Sequence, residues 1–140
     1  MNYWIGVIGS KMSYDRFHAI PHWFCLPQSC EAGDKVIMYA SKKAAGVNSG
    51  IFAIFEIANK DECNDEKCRS YGLMSGTGER PVYVDLTELV RLNKNLSFQS
   101  LKINPALKNS SFIRRNFQAT YFKIVAREYE AINSSVTLTN

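Results

Sequence analysis

The chain has 140 residues, of which 46% are hydrophobic and 21% charged, and these values are typical of one globular domain that buries its own core. A formal net charge of +4 suits an anionic partner but excludes the dense charge of a histone-like protein. No apolar run approaches the roughly 18–20 residues of a membrane span. There is also no basic-then-apolar leader, so we expect a cytoplasmic protein with no membrane partner.

The N-terminal part of the chain is predicted to hold one strand and a compact aromatic segment. Residues 2–8 are apolar and aromatic enough for a strand. Residues 11–20 carry apolar side chains at spacings of two to three, which indicates a short helical turn or an irregular segment. Residues 22–26 form an aromatic patch, and Pro27 ends it.

Two segments in the middle of the chain show the clearest pattern. Residues 33–41, GDKVIMYAS, alternate after a turn, with Val36, Met38 and Ala40 on one face and Ile37, Tyr39 and Ser41 on the other. Residues 50–57, GIFAIFEI, are apolar almost throughout, as in a strand buried on both faces. A polar loop with Lys42 and Lys43 joins the two, which indicates a small closed sheet with a functional loop on its rim. No catalytic signature accompanies the pair, so the pattern favours a recognition pocket over a reaction.

The segment that follows is predicted to be a long loop, a strand and a short helical turn. Residues 61–78 show no apolar periodicity, which indicates a loop. Residues 80–89 alternate apolar and polar side chains as a strand does. Residues 96–101 fit one helical turn with Ser97 as its cap.

The C-terminal part combines a basic and aromatic run with a final helix. Residues 112–123 hold the run, and residues 125–132 place apolar side chains on one helical face. Residues 133–140 are polar, and we expect a frayed tail there. The predicted organisation is therefore a single domain over residues 1–132 followed by the tail.

Four cysteines fall into two near pairs, Cys25 with Cys30 and Cys63 with Cys68. Free thiols are the commonest state in a cytosolic protein. A zinc site is a second interpretation, since His18 and His22 precede the first pair and four intervening residues are permissible for zinc ligands, although the spacing alone is not persuasive. A disulfide within either pair is the third. The second pair lies in a very polar stretch, which favours an exposed loop or hairpin tip.

The order of these segments resembles a known family. An N-terminal strand with YW comes first, then a segment with Trp23, and then GDKVIMYAS, GIFAIFEI, PVYVDL, LSFQSLK, a basic-aromatic run and EYEAI. This order is similar to that of the EVE domain, a branch of the PUA-like superfamily that also holds the ASCH and YTH domains. The resemblance covers residues 2–132.

The resemblance implies an α+β fold, a PUA-like curved and mostly antiparallel β-barrel with short flanking helices. It also implies a nucleic-acid-binding module whose pocket receives one base, with modified bases of DNA or RNA as the proposed ligands. Such a module needs no cofactor and no metal. A homodimer, or a partner nuclease or modification enzyme, fits the same interpretation.

A pocket for a base needs a flat surface for stacking, polar groups for the base edge and cations for the flanking phosphates. The family pattern and the residue types together give the base-binding set Trp4, Ser10, Lys11, Trp23, Phe24, Tyr39, Ser41, Phe117 and Gln118. The phosphate-binding set is Lys42, Lys43, Arg114 and Arg115.

Several of these residues also have an ordinary structural interpretation. Trp4 and Phe24 fit a core equally well, whereas Trp23, next to a histidine and near a proline, is less typical of a core residue. Two other functions stay open. One is a small nucleotide-processing hydrolase of the ASCH type on the same barrel, although the sequence shows no nucleophile with a base. The other is a protein-interaction module that docks a partner on residues 21–26.

Overall fold

The computed structural model describes residues 1–9, 17, 22–44, 47–63, 65–70 and 79–139. Within these ranges the strands are β1 (Tyr3–Ile8), β2 (His22–Pro27), β3 (Lys35–Ala40), β4 (Gly50–Asp61), β5 (Pro81–Leu96) and β6 (Tyr121–Ile124). The helices are α1 (Asp65–Ser70), α2 (Phe98–Lys102), α3 (Ser111–Arg114) and α4 (Ala126–Thr139). No helix in the described ranges is long and apolar enough to cross a membrane.

The six strands form one mixed, curled sheet in the order β2-β5-β4-β3-β1-β6. β1 pairs with β3 in parallel, and the other neighbouring strands pair antiparallel. The pairing of β4 with β5 shifts register three times, and such bulges bend a strand pair and increase its twist. The predicted α+β fold with a curved, mostly antiparallel sheet and short helices is therefore confirmed.

The sheet is buried on both faces, as the alternation in β3 predicts. Val36, Met38 and Ala40 belong to a first core on one face of the sheet. Ile37 and Tyr39 point the other way, into a second core that the C-terminal helices help to cover. The strand β4 contributes side chains to both cores, which confirms its predicted burial on two sides.

The first core holds the three N-terminal rings proposed for base stacking, Trp4, Trp23 and Phe24. The segment predicted as an aromatic patch is the strand β2, which pairs with β5 along its whole length. Of residues 11–20, only Phe17 is described, and it is fully buried in this core.

The cysteines form one disulfide that no sequence-based alternative gave, and the other two are free thiols, as the first alternative predicted. Cys25 and Cys68 form a disulfide between β2 and α1, with 5.8 Å between their Cα atoms. Cys30 is a buried free thiol, and Cys63 is an exposed one. Free thiols at Cys25 and Cys68, and a disulfide within either near pair, are therefore wrong. No cluster of three or more metal-ligating side chains occurs in the described ranges.

Three predicted boundaries also need correction. The helix α1 occupies part of the predicted loop 61–78. The strand β4 extends to Asp61, the first residue of that predicted loop. The strand β5 continues to Leu96, beyond the predicted end. The last helix continues to Thr139 and buries Val136, so a frayed tail after residue 132 is wrong.

Candidate functional site

A cavity of about 910 Å³ opens where β1 and β3 end. Fifteen residues from four parts of the chain line it: Val7, Gly9, Tyr39, Ser41, Lys42, Lys43, Ser49, Ser97, Phe98, Gln99, Asn116, Phe117, Gln118, Ala119 and Thr120. Ligand pockets in proteins commonly measure about 300–1,000 Å³ and combine apolar walls with a few polar groups. The size and composition of this cavity therefore fall within the range of ligand pockets.

Two stacked rings and the half-buried Phe98 form the aromatic part of the cavity. The rings of Tyr39 and Phe117 lie parallel within 1°, and their centroids are 3.7 Å apart. Tyr39 comes from β3, and Phe117 comes from the connection between α3 and β6. Their exposed fractions are only 5% and 3%.

The hydroxyl of Tyr39 is a hydrogen-bonding group at the cavity. Burial raises the pKa of Tyr39 above its usual value of 10, and a hydrogen bond with Ser49 offsets part of the rise. The hydroxyl is therefore protonated at neutral pH, and it can donate as well as accept a hydrogen bond.

The turn after β3 brings three polar side chains to the rim. Ser41 lies there because its backbone N–H donates to the carbonyl oxygen of Ile8 at 3.0 Å. Gly9 permits this approach, since a Cβ at position 9 would lie 2.5 Å from the hydroxyl oxygen of Ser41. Lys42 and Lys43 follow, and both are exposed. Within the described part of the chain, neither lysine forms an ion pair, so both charges are available to an anion.

The opposite wall begins at the end of β5 and continues into α2. The hydroxyl oxygen of Ser97 accepts from the backbone N–H of Ser100 at 3.2 Å, which confirms the predicted cap. This cap starts the helix at Phe98, whose ring meets that of Phe117 edge-on at 6.0 Å. Gln99 is exposed beside it and also lines the cavity.

The third wall is the short connection after α3. Asn116 and Phe117 have φ angles of 52° and 56°, which lie in the left-handed region. Left-handed backbone is uncommon for residues other than glycine, and for a bulky side chain such as Phe it is an outlier. The backbone N–H of Phe117 donates to the carbonyl oxygen of Phe112 at 2.9 Å, which holds this conformation.

The structure brings part of the predicted site together. Six of the predicted residues line the cavity: Tyr39, Ser41, Lys42, Lys43, Phe117 and Gln118. Arg114 and Arg115 are exposed at the end of α3, just before this lining, but they are not part of it. Ser10 and Lys11 lie outside the described residues.

The three N-terminal rings do not reach the cavity. Trp4 and Phe24 are 1% and 0% exposed in the first core, on the other face of the sheet. Trp23 is 5% exposed and stacks on Tyr83 with 5.2 Å between the ring centroids. The expectation that Trp23 lies outside the core is wrong, because β5 and α1 cover it.

Sequence reasoning missed five polar residues of the lining, Ser49, Ser97, Gln99, Asn116 and Thr120. The sequence marks Ser97 only as a helix cap. Nothing local to the other four distinguishes them from surface polar residues, since only the tertiary fold brings their segments to one cavity.

Comparison with known protein families shows which family the chain belongs to. The model of the EVE domain matches residues 2–135. The chain belongs to the EVE domain family. The resemblance noted from the order of its segments is therefore confirmed. No protein with a curated description matches the chain in sequence.

Solved structures with the same fold differ widely from this EVE domain in sequence. A hypothetical protein from Leishmania major is 16% identical with a TM-score of 0.67, and the match covers 99% of this chain and 96% of the other. Human THYN1, solved in complex with DNA that contains 5-methylcytosine, is 13% identical with a TM-score of 0.64 over 96% and 97%. The ASCH protein of Zymomonas mobilis is 11% identical with a TM-score of 0.59 over 96% and 98%. These likenesses establish the shared fold.

Proposed function

We propose that this EVE domain binds nucleic acid by taking one base, in particular a modified base, into the cavity beside Tyr39. One observation carries the proposal: a single cavity joins an aromatic ring, neutral hydrogen-bonding side chains and a pair of exposed lysines. Each of these supplies one requirement of base capture, namely stacking, reading of the base edge and neutralisation of phosphate.

Stacking is assigned to Tyr39. Its ring lies in the cavity on a central strand, so its position is held by pairing with β1 on one side and β4 on the other. Stacking of a base on an aromatic side chain contributes about 1–3 kcal/mol, and a base in a duplex costs a few kcal/mol to unstack. We therefore expect single-stranded or mismatched sites to bind better than intact duplex.

Reading of the base edge is assigned to the neutral polar groups around the ring. Ser41, Ser49 and Gln118 provide hydroxyl and amide groups that donate and accept hydrogen bonds. The lysines at the rim, Lys42 and Lys43, are assigned to the phosphates beside the extruded base. Ammonium groups there are exposed, so this contact is expected to be sensitive to salt.

The comparisons support nucleic acid as the class of partner. Human THYN1 was solved with DNA containing 5-methylcytosine. An ASCH neighbour fits the alternative of a hydrolase. The side chains that line the cavity in the described ranges provide hydroxyl, amide and ammonium groups, which suit binding of a base, so binding is the function that we propose.

The test is a titration of fluorescently labelled oligonucleotides followed by anisotropy. Tryptophan quenching is unsuitable, because both tryptophans are buried in the first core, away from the cavity. Single-stranded and duplex DNA and RNA carrying cytosine, 5-methylcytosine, adenine or N6-methyladenine form the panel. We expect saturable binding to single strands with preference for one modified base.

Tyr39→Ala is expected to weaken binding by about 5-fold to 100-fold, which corresponds to the loss of one stacking contact. Tyr39→Phe keeps the ring and is expected to bind within a few-fold of the natural protein. Tyr83→Ala is the matched control, since it removes a partly buried aromatic ring that packs against the first core and does not line the cavity. The proposal fails if no oligonucleotide binds, or if Tyr39→Ala binds as tightly as the Tyr83→Ala control.

A further inference from the structure

Neither ring of the stacked pair Tyr39 and Phe117 has a face free for a base. Tyr39 is 5% exposed and Phe117 is 3% exposed, and each covers a face of the other. A stacked base needs most of one ring face. One of these two rings must therefore move before a base can stack on Tyr39, the ring to which stacking is assigned.

The backbone indicates which ring moves. Tyr39 lies within β3, where it pairs with Val7 of β1 and Ile51 of β4. Phe117 lies outside any helix or strand, and both Phe117 and the residue before it, Asn116, have a positive φ. Two consecutive left-handed residues other than glycine cost free energy, and such strain is found at ligand clamps and switches.

We propose that Phe117 occupies the place of the base in the free protein and is displaced from Tyr39 when a base enters. This inference rests on the proposed function and adds its binding step. The Phe117 ring lies almost face to face with Tyr39, an arrangement that aromatic side-chain pairs favour less than an offset or edge-on one. Departure of Phe117 relieves the left-handed backbone at positions 116 and 117.

In the free protein, contacts with three further aromatic rings hold Phe117 against Tyr39. Its ring meets that of Phe112 at 5.3 Å and those of Phe98 and Phe122 at 6.0 and 6.2 Å. These apolar contacts oppose the backbone strain, so opening is an infrequent event. Association with a ligand is then slowed by the opening step, and only a flat aromatic ligand replaces the stacking that is lost.

The first experiment tests whether removal of the Phe117 ring leaves a cavity beside Tyr39 that binds a flat aromatic molecule. Phe117→Ala is titrated with indole and followed by thermal unfolding, and apolar cavities made by such truncations do bind small aromatic molecules. We expect indole to raise the melting temperature of Phe117→Ala by several degrees and to leave that of the natural protein unchanged. Absence of any shift in Phe117→Ala overturns the inference, whatever the oligonucleotides do.

The second experiment measures association of a short single-stranded DNA with one 5-methylcytosine by stopped-flow anisotropy. Phe117→Ala is expected to associate at least about tenfold faster than the natural protein, because the place is already open. If Phe117→Ala instead loses affinity as Tyr39→Ala does, Phe117 is a fixed wall of the site and the inference is wrong. If no variant binds this DNA while Phe117→Ala takes up indole, the proposed function fails, and the place beside Tyr39 accepts a flat molecule other than a base of this DNA.

A matched pair at position 116 keeps the Phe117 ring and covers the case in which Phe117→Ala does not fold. Asn116→Ala and Asn116→Gly both remove the amide, but only alanine is penalised in the left-handed region. Alanine therefore destabilises the closed state relative to glycine. We expect Asn116→Ala to associate with the DNA about fivefold or more faster than Asn116→Gly. Equal rates for the two variants overturn the inference.

Discussion

Trp4 and Asp34 form a buried hydrogen bond at the start of the sheet. The indole Nε1 of Trp4 donates to Oδ2 of Asp34 at 3.0 Å, and both residues are 1% exposed. The same carboxylate accepts from the backbone N–H groups of Asn2 and Glu31, each at 2.9 Å. One acidic side chain therefore satisfies three donors and joins the N-terminus, β1 and the turn before β3.

Asp34→Ala is expected to destabilise the protein by about 3 kcal/mol, because it leaves a buried indole N–H and two backbone N–H groups without an acceptor. Asp34→Asn keeps one acceptor oxygen and is expected to cost less. Urea unfolding followed by circular dichroism measures both. Asp61→Ala is the control, since that carboxylate accepts one exposed hydrogen bond from Cys63 and its loss is expected to change stability by less than about 1 kcal/mol. The prediction is contradicted if Asp34→Ala lowers the free energy of unfolding no more than Asp61→Ala does.

The central strands and the cap at Ser97 were predictable because their signals are local. The alternation in β3 places Val36 and Met38 in one core and Ile37 and Tyr39 in the other, as period-two geometry requires. Ser97 caps α2 because its side chain needs only a backbone N–H three residues later.

The position of Trp23 was not predictable from its neighbours. Its burial depends on Asp85 and Tyr83 in β5 and on Lys67 in α1, which lie more than forty residues away in the chain. The disulfide has the same origin: α1 packs against β5, the strand beside β2, and this tertiary contact, not the spacing of the cysteines, brings Cys68 to Cys25. The shape of the cavity at Asn116 and Phe117 also depends on backbone angles that residue types do not reveal.

Reduction of the Cys25–Cys68 disulfide is expected to lower stability by about 4 kcal/mol. The bond closes a loop of 43 residues, and the chain-entropy relation gives about this value for a loop of that length. Urea unfolding with and without dithiothreitol measures the difference. The variant Cys63→Ser is expected to remain sensitive to the reductant, whereas Cys25→Ser combined with Cys68→Ser is expected to be insensitive. Equal midpoints for the natural protein in both conditions contradict the prediction.

Cys30 is expected to make stability fall as the pH rises above about 9. Burial raises the pKa of this thiol to about 12, and the Lys60 ammonium offsets only part of the rise. Between pH 9 and 12 the unfolded chain loses this proton while the folded chain keeps it. The protonated thiol therefore makes its full contribution to the free energy of unfolding below pH 9. Above pH 9 this contribution falls by about 1.4 kcal/mol per pH unit.

Comparison of the natural protein with Cys30→Ala isolates this effect, because the other groups that titrate in the same range cancel in the difference. The stability advantage of the natural protein is expected to shrink as the pH rises through that window. Alkylation gives a second readout: at pH 8 iodoacetamide is expected to label exposed Cys63 and to spare buried Cys30. A pH-independent difference between the two proteins, or rapid labelling of Cys30 in the folded state, contradicts the prediction.

Lys42 and Lys43 are expected to govern the salt dependence of oligonucleotide binding. Each phosphate that a lysine neutralises adds about 0.7–0.9 to the slope of log affinity against log salt concentration. Lys42→Ala combined with Lys43→Ala is therefore expected to lower the slope by about 1.4–1.8 and to weaken binding most at low salt. Lys102→Ala combined with Lys108→Ala removes the same charge from exposed positions outside the cavity lining and is expected to leave the slope almost unchanged. If the two double variants change the slope equally, net charge rather than contact at the rim explains binding, and the assignment of the two rim lysines to phosphate is wrong.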